Sequence, residues 1–173
     1  MSSIHVCALA HVASTVETSG ASHLVTLLHD GSKLKRPKSI SADHHLFLGV
    51  ADIIAPIRGM TEPAEDHVRQ LIAFVDSWDG SQPMVIHCFA GISRSTAGAF
   101  IALCHLAPET DEMELALRIR QSSRVASPNP KLVELADGVL GRDGRMVDAI
   151  RSIGTGALAF RTKPFELSIG DSS

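Results

Sequence analysis

Five residues separate a cysteine from an arginine at the junction of an apolar strand and an apolar helix, and this stretch limits what the chain can become. Residues 83–106 read Pro-Met-Val-Ile-His-Cys-Phe-Ala-Gly-Ile-Ser-Arg-Ser-Thr-Ala-Gly-Ala-Phe-Ile-Ala-Leu-Cys-His-Leu. Met84, Val85 and Ile86 are a short apolar run after a proline, the pattern of a strand buried on both faces in a parallel sheet. From Ser95 to Leu106 the chain is rich in Ala, Leu and Ile, with Gly98 as its one weak point before Pro108, which predicts a buried helix. The loop between is the right length to wrap a phosphate.

If that loop curls so that the amides of residues 89 to 94 converge, it forms an anion cradle at the positive end of the helix. Arg94 can add two parallel charge-assisted hydrogen bonds to phosphate-type oxygens and never loses its charge. Gly91 permits a backbone conformation closed to other residues. Cys88 would sit at the bottom of this positive bowl. Thiols in such surroundings ionise readily, and the thiolate is the nucleophile. A thiolate facing a bound phosphate is placed to form a covalent thiophosphate.

His87-Cys88-Phe89-Ala90-Gly91-Ile92-Ser93-Arg94-Ser95 resembles the active-site signature of the cysteine-dependent protein tyrosine phosphatase superfamily, and its Ala-Gly-x-Ser-Arg-Ser wording is most similar to the dual-specificity branch. The resemblance covers roughly residues 20–140. It implies an α/β fold in which a mainly parallel sheet of four to five strands is flanked by helices. It also implies phosphomonoester hydrolysis through a cysteinyl-phosphate, with Cys88 as nucleophile and Phe89, Ala90, Gly91, Ile92, Ser93 and Arg94 binding phosphate. No metal and no cofactor are implied.

The leaving oxygen needs a proton, which the superfamily takes from an Asp on a mobile loop some thirty-odd residues before the Cys. Asp52 lies thirty-six positions before Cys88, after a strand and before a helix. Asp43 precedes that strand and Asp66 falls inside the helix. By resemblance, Asp52 serves first as acid and then activates water. The Trp-Pro pair that precedes this Asp in the receptor-like branch is replaced by Val50-Ala51, and the dual-specificity branch lacks it too. Ser95 would donate a hydrogen bond to the Cys88 sulfur. His87 would support the loop, and Asn129, in Ser-Pro-Asn-Pro, resembles a Pro-Asn turn that supports loops near such a site.

The 173 residues are expected to form a single domain, with a core at about 20–140 and a C-terminal extension, 141–173, of no assigned role. A net charge of −3 gives no reason to expect nucleic acid or a membrane as partner. Three cysteines in such a chain suit a reducing, cytoplasmic setting; the N-terminal stretch makes a poor signal peptide, and no apolar run reaches membrane length. Cys7 and Cys104 are read as buried packing residues, although either could trap an oxidised Cys88. The adjacent His44 and His45 would point to opposite sides of a strand, so no metal is assigned.

Taken in order, Ile4–Leu9, Leu24–Leu28 and His45–Leu48 read as strands, and Val12–Ser19 as a helix ended by Gly20. Residues 31–41 form a basic surface loop. A helix is expected to start at Thr61 as N-cap and to carry a stripe of Val68, Leu71, Ile72, Val75 and Trp78. Further helices are expected from Asp111 to about Ser122, over Lys131–Leu140 and over Met146–Ile153, with residues 154–173 irregular. Strands alternating with helices predict an α/β fold with active-site groups at strand carboxyl ends.

Three other classes share part of this pattern. A phosphate-binding module without catalysis would have no need of Cys88, Arg94 and Asp52 together. A sulfurtransferase or arsenate reductase would not need Asp52 or the Arg94-Ser95 ending. A phosphatase of a small ester, such as a nucleotide or sugar phosphate, stays open beside one acting on phosphoprotein. The lysines usual in phosphoinositide-specific signature loops are missing here. Phosphotyrosine against phosphoserine or phosphothreonine is undecided by the sequence, as is oligomeric state.

Overall fold

The computed structural model describes residues 2–170. Its elements, in chain order, are β1 (Ser3–Ala8), α1 (Val12–Ser19), β2 (His23–Leu28), β3 (His45–Gly49), α2 (Glu65–Asp76), β4 (Met84–Cys88), α3 (Arg94–Leu106), α4 (Glu112–Ser122), α5 (Pro130–Val139), α6 (Arg145–Ile153) and β5 (Phe165–Ser168). The strands form one sheet in the order β3-β2-β4-β1-β5. The first four are parallel and β5 runs antiparallel against β1. The architecture is thus the α/β, mainly parallel one expected.

Central β2 and β4 are buried at every position, the polar His23, Thr26 and His87 included, whereas edge strand β3 is partly open. Side chains alternate between the sheet faces. Val85 packs with Cys7, Val12, Val16 and Leu24 in the cluster under α1. Met84, Ile86 and Cys88 face the larger core formed by helices α2 to α6, with Leu71, Phe100 and Leu115. The two-residue period therefore aims Cys88 at the N-terminus of α3.

Three expectations need correction. Helix α2 starts at Glu65, with Ala64 rather than Thr61 as N-cap, because Pro63 biases its predecessor to extended backbone. The Thr61 hydroxyl instead donates to Asp30, and the Thr61 carbonyl accepts from Ala51 N–H at 2.8 Å, pinning the loop after β3. Trp78 lies beyond the last turn of α2, although its ring is buried and its Nε1 donates to Gln82 O at 2.9 Å. Residues 154–173 are not wholly irregular: Phe165–Ser168 is β5, a strand of four residues whose partner, β1, lies at the other end of the chain. Part of that stretch, 171–173, lies outside the described residues.

Other boundaries follow local chemistry. Gly20 closes α1 in the left-handed region at φ 68°. The Asp111 carboxylate caps α4 by accepting from Met113 and Glu114 N–H. Asn129 caps α5, with Pro130 in its first turn.

Candidate active site

The loop between β4 and α3 is held from outside by its carbonyls. Phe89 O accepts from Leu9 N–H at 3.1 Å, Ala90 O from Thr162 N–H at 2.9 Å, Ile92 O from Ser127 N–H at 2.9 Å and Ser93 O from Asn129 N–H at 3.2 Å. In a trans peptide the N–H points opposite to the C=O of the same unit. The N–H groups of Ala90, Gly91, Ser93 and Arg94 are therefore turned inward, next to the start of α3 and its positive dipole end. Gly91 N–H points at Cys88 Sγ, 3.3 Å away. Gly91 itself sits at φ 72°, and a Cβ there would lie 2.7 Å from the carbonyl carbon of Cys7 and 2.8 Å from the nitrogen of Ala8. Both conformation and space demand glycine.

Cys88, buried at the base of this bowl, has a second contact: its Sγ is 3.1 Å from Ser95 Oγ. Arg94 is 5% exposed, and its Nη1 donates to Val50 O at 2.9 Å. That bond, from the loop after β3, orients the guanidinium. Its buried Nε–H has no partner among the described residues, so the site holds an unpaired cationic donor suited to an anion.

Asp52 stands at the rim. Its Oδ1 accepts from Ser93 Oγ at 2.7 Å and from Asn129 Nδ2 at 2.9 Å. Both donors meet one oxygen, leaving Oδ2 facing away from them.

Behind the loop, burial pushes the His87 imidazole down to about 4, so the ring is neutral at ordinary pH. Its Nδ1 faces Cys88 O at 3.3 Å and its Nε2 lies 2.8 Å from Thr26 Oγ1, which is also 2.8 Å from His45 Nε2. A carbonyl can only accept, which places the His87 proton on Nδ1. Thr26 then donates to His87 and accepts from His45. His87 is thus a support for the loop with no free nitrogen.

The structure gathers Cys88, Arg94, Ser95, Asp52, His87 and Asn129 around one loop. Cys7 and Cys104 stay out of it. Cys7 lies on the opposite sheet face, and Cys104 is nine residues beyond Ser95, roughly 14 Å along α3. Burial pushes the Cys7 thiol up to about 11 and the Cys104 thiol up to about 12. His44 stacks on His23 at 4.1 Å, and no metal-ligand cluster occurs among the described residues. Sequence reasoning missed Thr26, Ser127 and Thr162. Thr26 was visible as the lone polar residue in Leu-Val-Thr-Leu-Leu; Thr162 left no mark, because its role depends on a backbone N–H. A cavity of about 500 Å³ adjoins the bowl, lined by Leu9, Leu28, His29, Ser32, Lys33, Phe89 and Arg94. It brings two residues of the basic loop, Ser32 and Lys33, to the site.

Solved structures share this arrangement of strands and helices. DUSP15 aligns at 18% identity over 87% of this chain and 89% of its own, with a TM-score of 0.62. Human DUSP28 aligns at 14% identity over 86% and 94%, with a TM-score of 0.61. PTPMT1, solved in complex with PI(5)P, aligns at 15% identity over 87% and 91%, with a TM-score of 0.58. At such identities the likeness is one of fold. No curated protein matches the sequence.

Fold and signature loop together are those of the dual-specificity-phosphatase-like branch of the cysteine-dependent protein tyrosine phosphatase superfamily. More narrowly, the family model described as "Polymorphic toxin system, DSP-PTPase phosphatase" matches residues 7–109, more than half of the chain, and the chain belongs to that family of phosphatases. Among the described residues no helix is long and apolar enough to cross a membrane.

Proposed function

We propose that this phosphatase hydrolyses phosphomonoesters through a cysteinyl-phosphate on Cys88, with phosphoprotein as its substrate class and without need of a metal. The observation that carries the reading is the inward-facing amide bowl with Cys88 Sγ at its base and the unpaired Nε–H of Arg94 in its wall. The substrate phosphoryl binds the N–H groups of the loop from Phe89 to Arg94 and the Arg94 guanidinium. The Cys88 thiolate forms a bond to phosphorus as the ester P–O bond breaks, and Asp52 gives its proton to the departing oxygen. The Asp52 carboxylate then takes a proton from water as that water attacks phosphorus. The P–S bond breaks and the electron pair returns to sulfur, where the Ser95 hydroxyl stabilises it. The three free cysteines fit a cytoplasmic setting.

A small phosphate ester is the second reading. The cavity beside Arg94 offers Lys33 and His29 to a further anionic group, and PTPMT1 binds PI(5)P in a related fold.

The test is hydrolysis of para-nitrophenyl phosphate across pH in the presence of a chelator. Turnover abolished by Cys88→Ser and cut by Asp52→Asn supports the mechanism. Wild-type turnover no better than that of Cys88→Ser, in a folded protein that binds vanadate, makes the chain a binding module instead. A panel of phosphopeptides against nucleotide, sugar and inositol phosphates separates the substrate classes by kcat/KM.

A further inference from the structure

We propose that Thr162 is a positioning residue for the phosphate loop: its backbone N–H locks the Ala90–Gly91 peptide in the orientation that faces the anion. The inference rests on reading this loop as the phosphate site. Thr162 belongs to the segment between α6 and β5, outside the matched family region. That segment is nearly all in solvent. Leu158 is 102% and Phe160 100% exposed, yet Thr162 is 4% exposed. Apolar burial does not explain a chain that leaves a leucine and a phenylalanine in water and buries a threonine.

Hydrogen bonds do explain it. Thr162 N–H donates to Ala90 O at 2.9 Å. Its hydroxyl donates to Lys163 O at 2.9 Å and stands 3.1 Å from Ser123 Oγ, which is therefore the donor in that pair. The strap is pinned at both ends. β5 pairs with β1, the neighbour of β4. Upstream, Arg120 donates to Ile153 O at 2.6 Å and to Gly154 O at 2.8 Å, and Gly156 N–H donates to Ser127 Oγ at 2.9 Å.

The tie matters because of the residue after Ala90. A peptide unit reverses by changing ψ of one residue and φ of the next, and Gly91, alone in the loop in lacking Cβ, tolerates either sign of φ. Reversal of the 90–91 peptide would turn the Gly91 N–H away from Cys88 Sγ and present the Ala90 carbonyl oxygen to the thiolate and to a phosphate. Glycine is required there by space, so the loop carries a reversible peptide at the point where reversal harms it most. The Thr162 N–H holds Ala90 O outward and opposes that reversal.

The test compares Thr162→Pro, which deletes the N–H, with Thr162→Ala, which keeps it, in the full chain. With Thr162→Pro, vanadate inhibition should weaken and kcat/KM should fall by roughly tenfold, the size expected for one lost hydrogen bond. The alkaline limb of the kcat/KM profile, along which Asp52 loses the proton it must give to the leaving oxygen, should keep its midpoint, because Asp52 and its two donors are untouched. Thr162→Ala should bind vanadate within about threefold of wild type, since a side-chain contact alone is altered. Amide hydrogen exchange on the unaltered protein tests the same bond without a substitution: Thr162 N–H should be protected, and more so with vanadate bound. A folded Thr162→Pro with unchanged vanadate inhibition overturns the inference, as does a Thr162 amide that exchanges freely whether or not vanadate is present. Wild-type protein that neither binds vanadate nor turns over substrate through Cys88 overturns the phosphatase reading itself, and the inference with it.

Discussion

Asn129 reaches Asp52 across seventy-seven positions of sequence and holds one oxygen of its carboxylate: Nδ2 donates to Oδ1 at 2.9 Å and to Ile53 O at 3.3 Å. The other end of the same amide accepts from Lys131 and Leu132 N–H, each at 3.0 Å, at the start of α5. The amide has one satisfactory orientation, since reversal would set its oxygen against a carboxylate and its NH₂ against backbone N–H groups.

Asn129 therefore couples helix capping to placement of the acid, and two substitutions separate these roles. Asn129→Asp keeps the cap but sets a second carboxylate beside Asp52. Its kcat on phenyl phosphate, a poor leaving group, should fall by roughly tenfold, and its stability should fall at neutral pH through repulsion of the two carboxylates, a cost relieved as pH falls and one of them is protonated. Asn129→Ala should show the same kinetic loss and also unfold more easily, by about 1 kcal/mol. Equal activity of Asn129→Asp and wild type on phenyl phosphate would disprove the coupling.

Ser95 Oγ, 3.1 Å from Cys88 Sγ, can stabilise charge on the sulfur when it leaves phosphorus. A hydrogen bond to a charged group contributes about 1.5–3 kcal/mol, so Ser95→Ala should slow breakdown of the cysteinyl-phosphate by roughly tenfold to a hundredfold. Formation should be less affected. Rapid-quench kinetics with para-nitrophenyl phosphate should then show a burst of one product equivalent per enzyme, with the phosphoryl group found on the peptide holding Cys88. A slow variant with no burst and no labelled Cys88 would place the defect elsewhere.

The parts of the site read from the sequence are those in which one contiguous stretch carries the whole signal. Cys88, Gly91, Arg94 and Ser95 lie within eight residues, and the strand and helix around them have strong local patterns. Asp52 was singled out by the resemblance, which sets an Asp after a strand and some thirty-odd residues before the Cys. What stayed hidden was the outer support of the loop. Leu9, Ser127 and Thr162 contribute backbone N–H groups, and every residue but proline has one. β5 was missed for a related reason: four residues of weak alternation become a strand only when β1 lies beside them. Thr61 misled because a hydroxyl before two acids reads as a cap, whereas Pro63 delays the helix and the hydroxyl finds Asp30 instead.

A second buried cluster governs stability rather than chemistry. Arg142 Nη1 donates to Glu112 Oε1 at 3.0 Å and Nη2 to Cys104 O at 2.7 Å, with Glu112 also held by Arg145 Nε at 3.2 Å. Removing Arg142 leaves Glu112 to Arg145 alone and unpairs the buried Cys104 O, so Arg142→Ala should cost about 1–3 kcal/mol in a urea titration. Burial acts to raise the Glu112 carboxyl, but its own backbone N–H, Arg145 and Arg142 outweigh that and hold it below its ordinary 4.5. Its contribution is thus complete above pH 4.5 and is lost as pH falls through the lower folded value. Glu112→Gln should remove that part of the acid sensitivity. A urea midpoint for Arg142→Ala matching wild type would refute the structural role.

His87 gives a pH dependence at milder acidity. Its folded value, about 4, lies below the ordinary 6.5 because the ring is buried. Between these values the unfolded chain binds the proton and the folded one does not, so stability rises with pH across that window. The contribution is full above about pH 6.5 and declines toward pH 4, by up to about 3 kcal/mol on the scale of 1.36 kcal/mol per unit. Urea midpoints at pH 7 and pH 5 should differ more for wild type than for His87→Gln, which does not titrate. Parallel slopes for the two proteins would mean that another group carries the dependence.

The three thiols should differ sharply in reactivity. Cys7 and Cys104 are buried and pushed up to about 11 and about 12, so both stay protonated and sealed at neutral pH. Cys88 opens on the amide bowl beside Arg94, a surrounding that collects anions. Iodoacetate, itself an anion, should alkylate Cys88 alone in the native protein at pH 7, and vanadate should protect it. Mild peroxide should leave no disulfide from Cys88 to either partner, because one lies across the sheet and the other roughly 14 Å along α3. Peptide mass spectrometry reads all three results. A Cys7–Cys88 or Cys88–Cys104 crosslink in folded protein would show that the loop opens far enough to pass a sulfur through the core, contrary to the tight outer hydrogen bonding of its carbonyls.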